Sequence, residues 1–550
     1  MESYFPLIIR YAVRKILFFI AFYFTINFDQ HIAAGGFQLQ EGGRRASEYE
    51  GRITIYVVIT CIIAASGGLM FGYDIGISGG VTSMDSFLAK FFPKVLENKQ
   101  RVQANAMGDA YCQYNDESLQ LFTSSLYLAA LISTFFASPV TRKYGRKTTL
   151  LIAGIFFDIG VVLNAAAGNL NTLIFGRIFL GFGVGFANQG VPLFLSEVAP
   201  THLRGALNIL FQLNVTIGIL FANLVNYGTL RIEPWGWRLS LGIAGLPAVA
   251  LTIGSLVLVE TPNSLVERGQ FQRAKHVLKK IRGTENVQAE FEDLVEASRV
   301  AQEVKHQFKN LMQRQNRPQL VIASALQFFQ QFTGINAIMF YSPVLFQTLG
   351  FKNDASLYSA VITGAVNVLS TLVSVYSVDK LGRRFLLLEG SAQMFVSQVA
   401  VAVLLGFGIK NEKTELSHGA AIVIVLMVCV FVSAFAWSWG PLGWLIPSEI
   451  FPLETRSSGQ SVTVSINMLF TFVIAQAFLS MLCTFKFGIF LFFAAWVSVM
   501  GVFTFLFIPE TKNIPIEEMG VVWREHWFWK RIVSSSDDEF GQLDSKTPDI

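Results

Sequence analysis

"KYGRK" at residues 143 to 147 and "KLGRR" at 380 to 384 are one motif written twice, 237 residues apart. Two more pairs follow in the same order. "SEVAPTHLRG" (196 to 205) returns as "SEIFPLETRS" (448 to 457) at an offset of 252, and "ETPN" (260 to 263) returns as "ETKN" (510 to 513) at 250. Taken singly, each basic cluster reads equally well as a positive anchor beside a membrane. Three motifs in one order at a near-constant offset indicate instead an internal repeat of two halves.

The residues between the motifs are apolar. The 550-residue chain is 52% hydrophobic and 15% charged, with 51 phenylalanines, whereas a soluble domain carries about 25% charge. Stretches of roughly 20 apolar residues, enough to cross about 30 Å of hydrocarbon, lie near 53–77, 119–141, 148–168, 171–195, 205–230 and 237–259. A second set lies near 318–349, 356–379, 385–409, 419–447, 457–484 and 486–508. The predicted fold is an all-α membrane protein with twelve transmembrane helices in two six-helix halves. The chain divides into an N-terminal segment (1–52), a first half (53–259) with a long loop at 78–118, a charged linker (260–317), a second half (318–509) and a tail (510–550). Parallel halves of this kind place a substrate site at their interface near the midplane.

With residues 1–52 on the cytoplasmic side, the inward connections hold 20 lysines and arginines and the outward ones 9. That bias predicts both termini inside. The net charge of +4 is then a topology signal, and no basic patch with interleaved aromatics points to nucleic acid. No metal-ligand cluster, nucleophile constellation or phosphate loop suggests an enzyme or a cofactor.

"RKYGRK" (142–147), "GRIFLGFGVGF" (176–186), "VPLFLSEVAPTHLRG" (191–205), "QQFTGINAIMFYSP" (330–343), "DKLGRR" (379–384), "GPLGWLIPSEIFPLETRSSGQ" (440–460) and "PETKN" (509–513) resemble the sugar porters of the major facilitator superfamily. Within it, "YEGRITIYVVITCIIAASGGLMFGYDIGISGGVTSM" (49–84) is similar to the plant sugar transport proteins, which are monosaccharide and proton symporters. The resemblance covers about Ala33 to Trp529. "VETPNSL" (259–265) departs from it by lacking an expected arginine. The resemblance implies a major facilitator fold and a functional monomer in the plasma membrane that imports a hexose with a proton. A hexose uniporter and a transporter-like sugar receptor remain the alternatives.

Asp74, in "MFGYDIGISGG" (70–80), is the residue on which the symporter reading turns. At 1.5 Å per residue it lies about 6 to 9 Å below the end of the first expected span, and Arg177 lies about 10 Å below the start of the fourth. Asp74 is either a helix cap near the headgroups or the partner of Arg177. An ionisable residue inside a span is costly and marks an ion or proton path. A carboxylate beside a guanidinium suits a proton carrier, and the resemblance implies that role for both.

A sugar site needs groups that donate and accept, plus an aromatic face for the apolar side of the ring. Gln330, Gln331, Asn367 and Asn467 fall near the midplane, Asn336 and Thr471 lie close by along the same helices, and Gln212 adds an amide from the first half. Each reads singly as a helix-to-helix hydrogen bond, and together they match the sugar-contacting positions that the resemblance implies. Trp444 sits where Pro441 and Pro447 are expected to interrupt the tenth span, as a gate that stacks on the sugar or as a packing tryptophan.

Arg142, Arg146, Glu197, Arg204, Arg383, Glu449 and Arg456 are expected to form ion pairs that latch the two halves, with the linker folded as short amphipathic helices. Of four cysteines, Cys112 and Cys483 fall on the outer side, where disulfides persist. Spacing leaves them open as free thiols, and the resemblance implies a bridge from a small lid to the second half. "RYAVRKILFFIAFYFTINF" (10–28) fits no part of the family and reads as an interfacial helix, an uncleaved targeting segment or a mispredicted first exon.

Overall fold

A computed structural model of the chain describes residues 54–104, 110–199, 204–303, 307–348, 353–410, 418–452, 455–512, 514 and 519–533. The expectations for residues 1–52 and for the end of the tail lie outside them.

Polar caps start the first spans where the apolar runs begin. Thr54 accepts from the N–H of Val57 at the head of α1 (Ile55–Ser83), Asp116 from Leu119 at the head of α4 (Glu117–Tyr144), and Asn169 from Thr172 at the head of α6 (Leu170–Val198). Each cap satisfies an amide that the first helical turn leaves without an intrahelical partner. Between α1 and α4 stand two short helices, α2 (Asp85–Phe91) and α3 (Pro93–Ala104), and a 3₁₀ turn (Ala110–Cys112). They form a lid over one end of the bundle. The first half is completed by α5 (Arg146–Ala165), α7 (Arg204–Thr229) and a sixth span made of α8 (Gly236–Ile243) and α9 (Gly245–Val257).

The linker folds into α10 (Pro262–Glu267), α11 (Phe271–Arg282), α12 (Gln288–Glu303) and α13 (Gln307–Leu311) at the end opposite the lid. The second half follows as α14 (Arg317–Phe332), α15 (Ile335–Thr348), α16 (Asn353–Leu381), α17 (Arg383–Lys410), α18 (His418–Trp437), α19 (Trp439–Ile450), α20 (Arg456–Phe485) and α21 (Gly488–Phe507). A last helix, α22 (Met519–Glu525), leads to Trp527 and Trp529, whose indole N–H groups donate to the carbonyls of Leu506 and Phe507 at the end of α21.

Among the described residues, 11 helices are long and apolar enough to cross a membrane. The remaining span is the seventh, where the expected single helix over 318–349 is two helices. The chain turns at Gly334, whose φ of +84° suits a residue without Cβ. The tenth span also differs from expectation. It breaks at Ser438 (φ −121°, ψ −93°), upstream of both prolines. Pro441 then falls in the first turn of α19, where its missing N–H breaks no hydrogen bond, and Pro447 lies inside the helix. Finally, α1 runs on to Ser83, six residues past the expected end at 77.

Small residues let the backbones approach. A Cβ added to Gly72 of α1 would stand 1.9 Å from the carbonyl oxygen of Val215 on α7, and one added to Gly68 or Gly76 would meet that helix at 2.7 or 2.8 Å. Spaced four apart, these glycines form one close-contact face. Gly72→Ala is therefore expected to push α1 from α7 at a cost of about 1–3 kcal/mol. Thermal unfolding of purified protein in detergent checks this, and an unchanged Tm would refute the close-contact assignment.

Candidate functional site

The extension of α1 to Ser83 carries Asp74 away from the helix end. Nine residues separate it from the last helical residue, about 13 Å at the helical rise, which removes the capping role. Its Oδ1 accepts from Nη1 of Arg177 on α6 in a short charge-assisted contact, and both side chains are almost wholly enclosed, at 3% and 0% exposure. Nη2 of Arg177 donates to Ser78 Oγ at 3.1 Å, and Ser78 donates to the carbonyl of Asp74 at 2.9 Å. The guanidinium carbon lies 4.0 Å from the centroid of the Phe122 ring on α4, within range of an attractive cation–π contact. Asp74 Oδ2 is buried with no hydrogen-bond partner. Phe122 carries no signal in the sequence, because only packing brings α4 beside α6.

In the second half, the amides form a chain across two broken spans. Gln330, near the end of α14, donates from Nε2 to the carbonyls of Trp439 (2.9 Å) and Gly440 (3.2 Å) at the start of α19. Its Oε1 accepts from Asn467 Nδ2 of α20 at 2.8 Å. Asn467 also donates to Gln327 Oε1 at 2.6 Å, and Gln327 donates to the carbonyl of Gly443 at 2.6 Å. Gln327 was missed in the sequence, although it lies one turn before Gln330 on the same face. Gln331 and Asn336 bridge the break in the seventh span by a short amide–amide contact. Thr471 donates to the carbonyl of Asn467 at 2.8 Å, which holds its hydroxyl against its own helix. Asn367 of α16 is buried with its amide 4.0 Å from Met339 Sδ. Trp444 and Gln212 are half-buried on α19 and α7.

At the linker end the repeated motifs close into the same constellation twice. Arg146 pairs with Glu197 at 2.7 Å, its backbone N–H donates to Glu260 at 2.9 Å, and Thr261 donates to Glu197. Arg383 pairs with Glu449 at 2.7 Å, its N–H donates to Glu510 at 2.9 Å, and Thr511 donates to Glu449 at 3.0 Å. The turns before the two arginines use Gly145 (φ +100°) and Gly382 (φ +90°), against which Glu260 and Glu510 press. Arg146 also reaches Glu267 of the linker at 2.6 Å. None of these ion pairs bridges the halves as expected: each joins residues of one half or ties that half to the linker, because each motif loop abuts helices of its own half. Arg142 is exposed, and Arg456 donates to the carbonyl of Ser448 at 3.1 Å, again within one half. The side chain of Arg204 lies outside the described residues.

The halves meet mainly toward the lid. Asn223 donates to the carbonyl of Ala360 at 3.0 Å, Gln120 to Ser480 at 3.1 Å, and Ser124 to Gln476. Tyr127 and Phe340 stack with ring centroids 5.1 Å apart. The lid belongs to both halves. Phe87 packs on Trp237 and Phe122 at 5.7 and 5.3 Å between centroids, while a disulfide joins Cys112 to Cys483 and Tyr114 donates to Gln347. Phe122 thus touches both the lid, at Phe87, and the Arg177 guanidinium.

A family model described as "Sugar (and other) transporter" matches residues 60–523. Sugar transport protein MST4 of Oryza sativa subsp. japonica is 69% identical over 505 residues, covering 92% of this chain and 97% of that protein. Sugar transport protein 13 of Arabidopsis thaliana is 67% identical over 510 residues, covering 92% and 96%. Among solved structures, the major facilitator superfamily proton:xylose symporter XylE bound to 6-bromo-6-deoxy-D-glucose aligns with a TM-score of 0.71 at 25% identity. The alignment covers 86% of this chain and 100% of that one.

Removing one member of a buried ion pair leaves the other charge uncompensated, at a cost of about 3–5 kcal/mol. Arg146→Leu, which strands Glu197, is expected to lower Tm clearly, and Arg146→Leu with Glu197→Leu to recover part of the loss. Thermal unfolding of both variants beside Arg142→Leu checks this; a loss at Arg146 no larger than at exposed Arg142 would contradict it.

Proposed function

The chain belongs to the sugar transporter family, and we propose that within it the protein is a proton-coupled monosaccharide symporter that imports hexose across the plasma membrane. The observation that carries this reading is the enclosed Asp74–Arg177 pair on the first and fourth spans. A buried pair is poor evidence for stability, since desolvating two charges offsets their attraction; inside a membrane it is better explained as part of an ion path. The bias of 20 basic residues to 9 supports a cytoplasmic linker and an outward lid, with both termini inside.

The free oxygen of Asp74, Oδ2, is the atom that takes the proton. Once it does, the attraction that holds Arg177 weakens, and the face of Phe122 4.0 Å away keeps the guanidinium in place while its charge is uncompensated. Released from Arg177, α1 settles against the second half, where Gln330, Gln331, Asn336, Asn367, Asn467 and Thr471 offer the sugar donors and acceptors and Trp444 offers a face, while Gln212 adds an amide from the first half. The halves then rock, sugar leaves toward the linker, and Arg177 drives the proton off by favouring the carboxylate. The arrangement described, joined at the lid with Asp74 paired, corresponds to the empty carrier after release. Arg146 and Arg383 act within their own halves and keep each rigid during the motion. Both halves of one chain supply the site, so a monomer suffices.

Two measurements test the reading. Gln330→Ala and Asn336→Ala are each expected to raise the apparent KM for hexose, because each removes a hydrogen bond worth about 0.5–1.5 kcal/mol; unchanged KM in both at normal surface level would reject the sugar site. In sealed vesicles with an acidic exterior, Asp74→Asn is expected to bind sugar and lose accumulation against a gradient. If that variant concentrates hexose as the parent does, Asp74 carries no proton and the uniporter reading replaces this one.

A further inference from the structure

The ninth span, α17, supplies none of the sugar-facing groups, yet it holds both broken helices that do. Its Gln398 is buried and donates from Nε2 to the carbonyl of Thr333 at 2.7 Å. That carbonyl stands at the break between α14 and α15, where the turn through Gly334 ends the helical ladder. A backbone carbonyl freed inside a membrane must find a partner. Leu387 and Ser391 lie on the same face of α17 as Gln398, at helical spacings of 4 and 11 residues from Leu387, and they receive the indole N–H of Trp439 at 3.1 Å (Leu387 O) and 3.0 Å (Ser391 Oγ). Glu389 Oε2 accepts the indole N–H of Trp437 at 2.9 Å. These two tryptophans flank Ser438, the break in the tenth span, and a Cβ added to Gly390 of α17 would meet Ser438 Oγ at 2.1 Å.

We infer that α17 is a brace for the sugar site, with Gln398 as its positioning residue: it sets the register of the two helix breaks and so the placement of the amides and of Trp444. This rests on the symporter reading. The breaks are also tied directly to each other, since Gln330 donates to the carbonyls of Trp439 and Gly440. A shift of the Thr333 peptide therefore moves Gln330 and Gln331 on one side and Asn336 on the other. Gln398 Oε1 is buried and has no hydrogen-bond partner. The side chain is held by its donor end alone, an arrangement that a packing role does not require and that an apolar residue of equal size would avoid. Its use is to fix one carbonyl. Proton coupling lies on the other half, around Asp74, and is untouched by this contact.

The test is concentration-dependent hexose uptake by the parent, Gln398→Leu, Asn336→Ala and the double variant, in transport-deficient cells with surface protein quantified. Gln398→Leu is expected to raise KM about three- to eighteenfold, the range of a single intramembrane side-chain hydrogen bond. Its accumulation ratio under an imposed pH gradient should stay that of the parent. In the Asn336→Ala background the same change should have a much smaller effect, since both act through one break. Unchanged KM, a fall in maximal rate alone, or full additivity with Asn336→Ala overturns the brace. Should the leucine variant not reach the surface, Gln398→Asn, which keeps the amide one methylene short, is measured instead; it must raise KM in the same direction or the inference fails. If the parent itself takes up no hexose, the symporter reading fails, an outcome distinct from a normal parent with an indifferent variant.

Discussion

Two opposite charges with almost no exposure, Asp74 and Arg177, are the costliest feature of this fold, and much of the first half is arranged around them. Neither charge would be tolerated alone at that depth. Their meeting requires α1 and α6 to lie side by side, and the glycines of α1 allow the opposite face of that helix to sit hard against α7. Phe122 closes the pair from α4, and behind it stands the lid, through Phe87. Anything that moves the lid relative to the first half therefore reaches the guanidinium through one aromatic side chain.

The second half answers a different constraint. Within lipid, a broken helix exposes carbonyls and amides that water does not reach, and this half breaks two of its spans, at Gly334 and at Ser438. Side chains repair the damage: Gln330 and Gln327 take carbonyls of α19, and Gln398 takes that of Thr333. Several of the amides suited to a sugar are thus already committed to backbone groups. At the proposed sugar site, a hydroxyl would join a pre-existing hydrogen-bond network, which favours precise placement over adaptability.

The linker-end motifs show how one device serves two bodies. An arginine, a glutamate from a neighbouring helix and a second glutamate under a glycine turn recur around Arg146 and Arg383. Because each set is internal to its half, it stiffens that half and leaves the relative orientation of the two to other contacts. Most of those lie toward the lid, where the halves share hydrogen bonds, the Tyr127–Phe340 stack and the disulfide, and Gln189 adds a hydrogen bond to Ser461 nearer the linker. Halves held together by exchangeable hydrogen bonds and ring contacts, with the lid tethered by the disulfide, suit alternating access.

The sequence by itself determined what depends on composition and order: the apolar runs long enough to span, the repeat announced by KYGRK and KLGRR, the basic bias of one set of loops, and the isolated Asp74. Hydrophobic periodicity, charge and recurrence are local and additive, so they survive in one dimension. The tertiary structure decided where spans end and break, because those points depend on which neighbour accepts the freed backbone groups. Pro441 marked a break that packing placed at Ser438, and Gly334 broke a span that looked continuous. It also decided partners. Arg146 and Arg383 chose glutamates of their own halves, Gln327 joined Gln330 and Asn467, and Gln398, an unremarked polar residue in an apolar run, came to hold a helix break 65 residues away. Such pairings follow from the approach of helices far apart in the chain, and only the packed bundle specifies that.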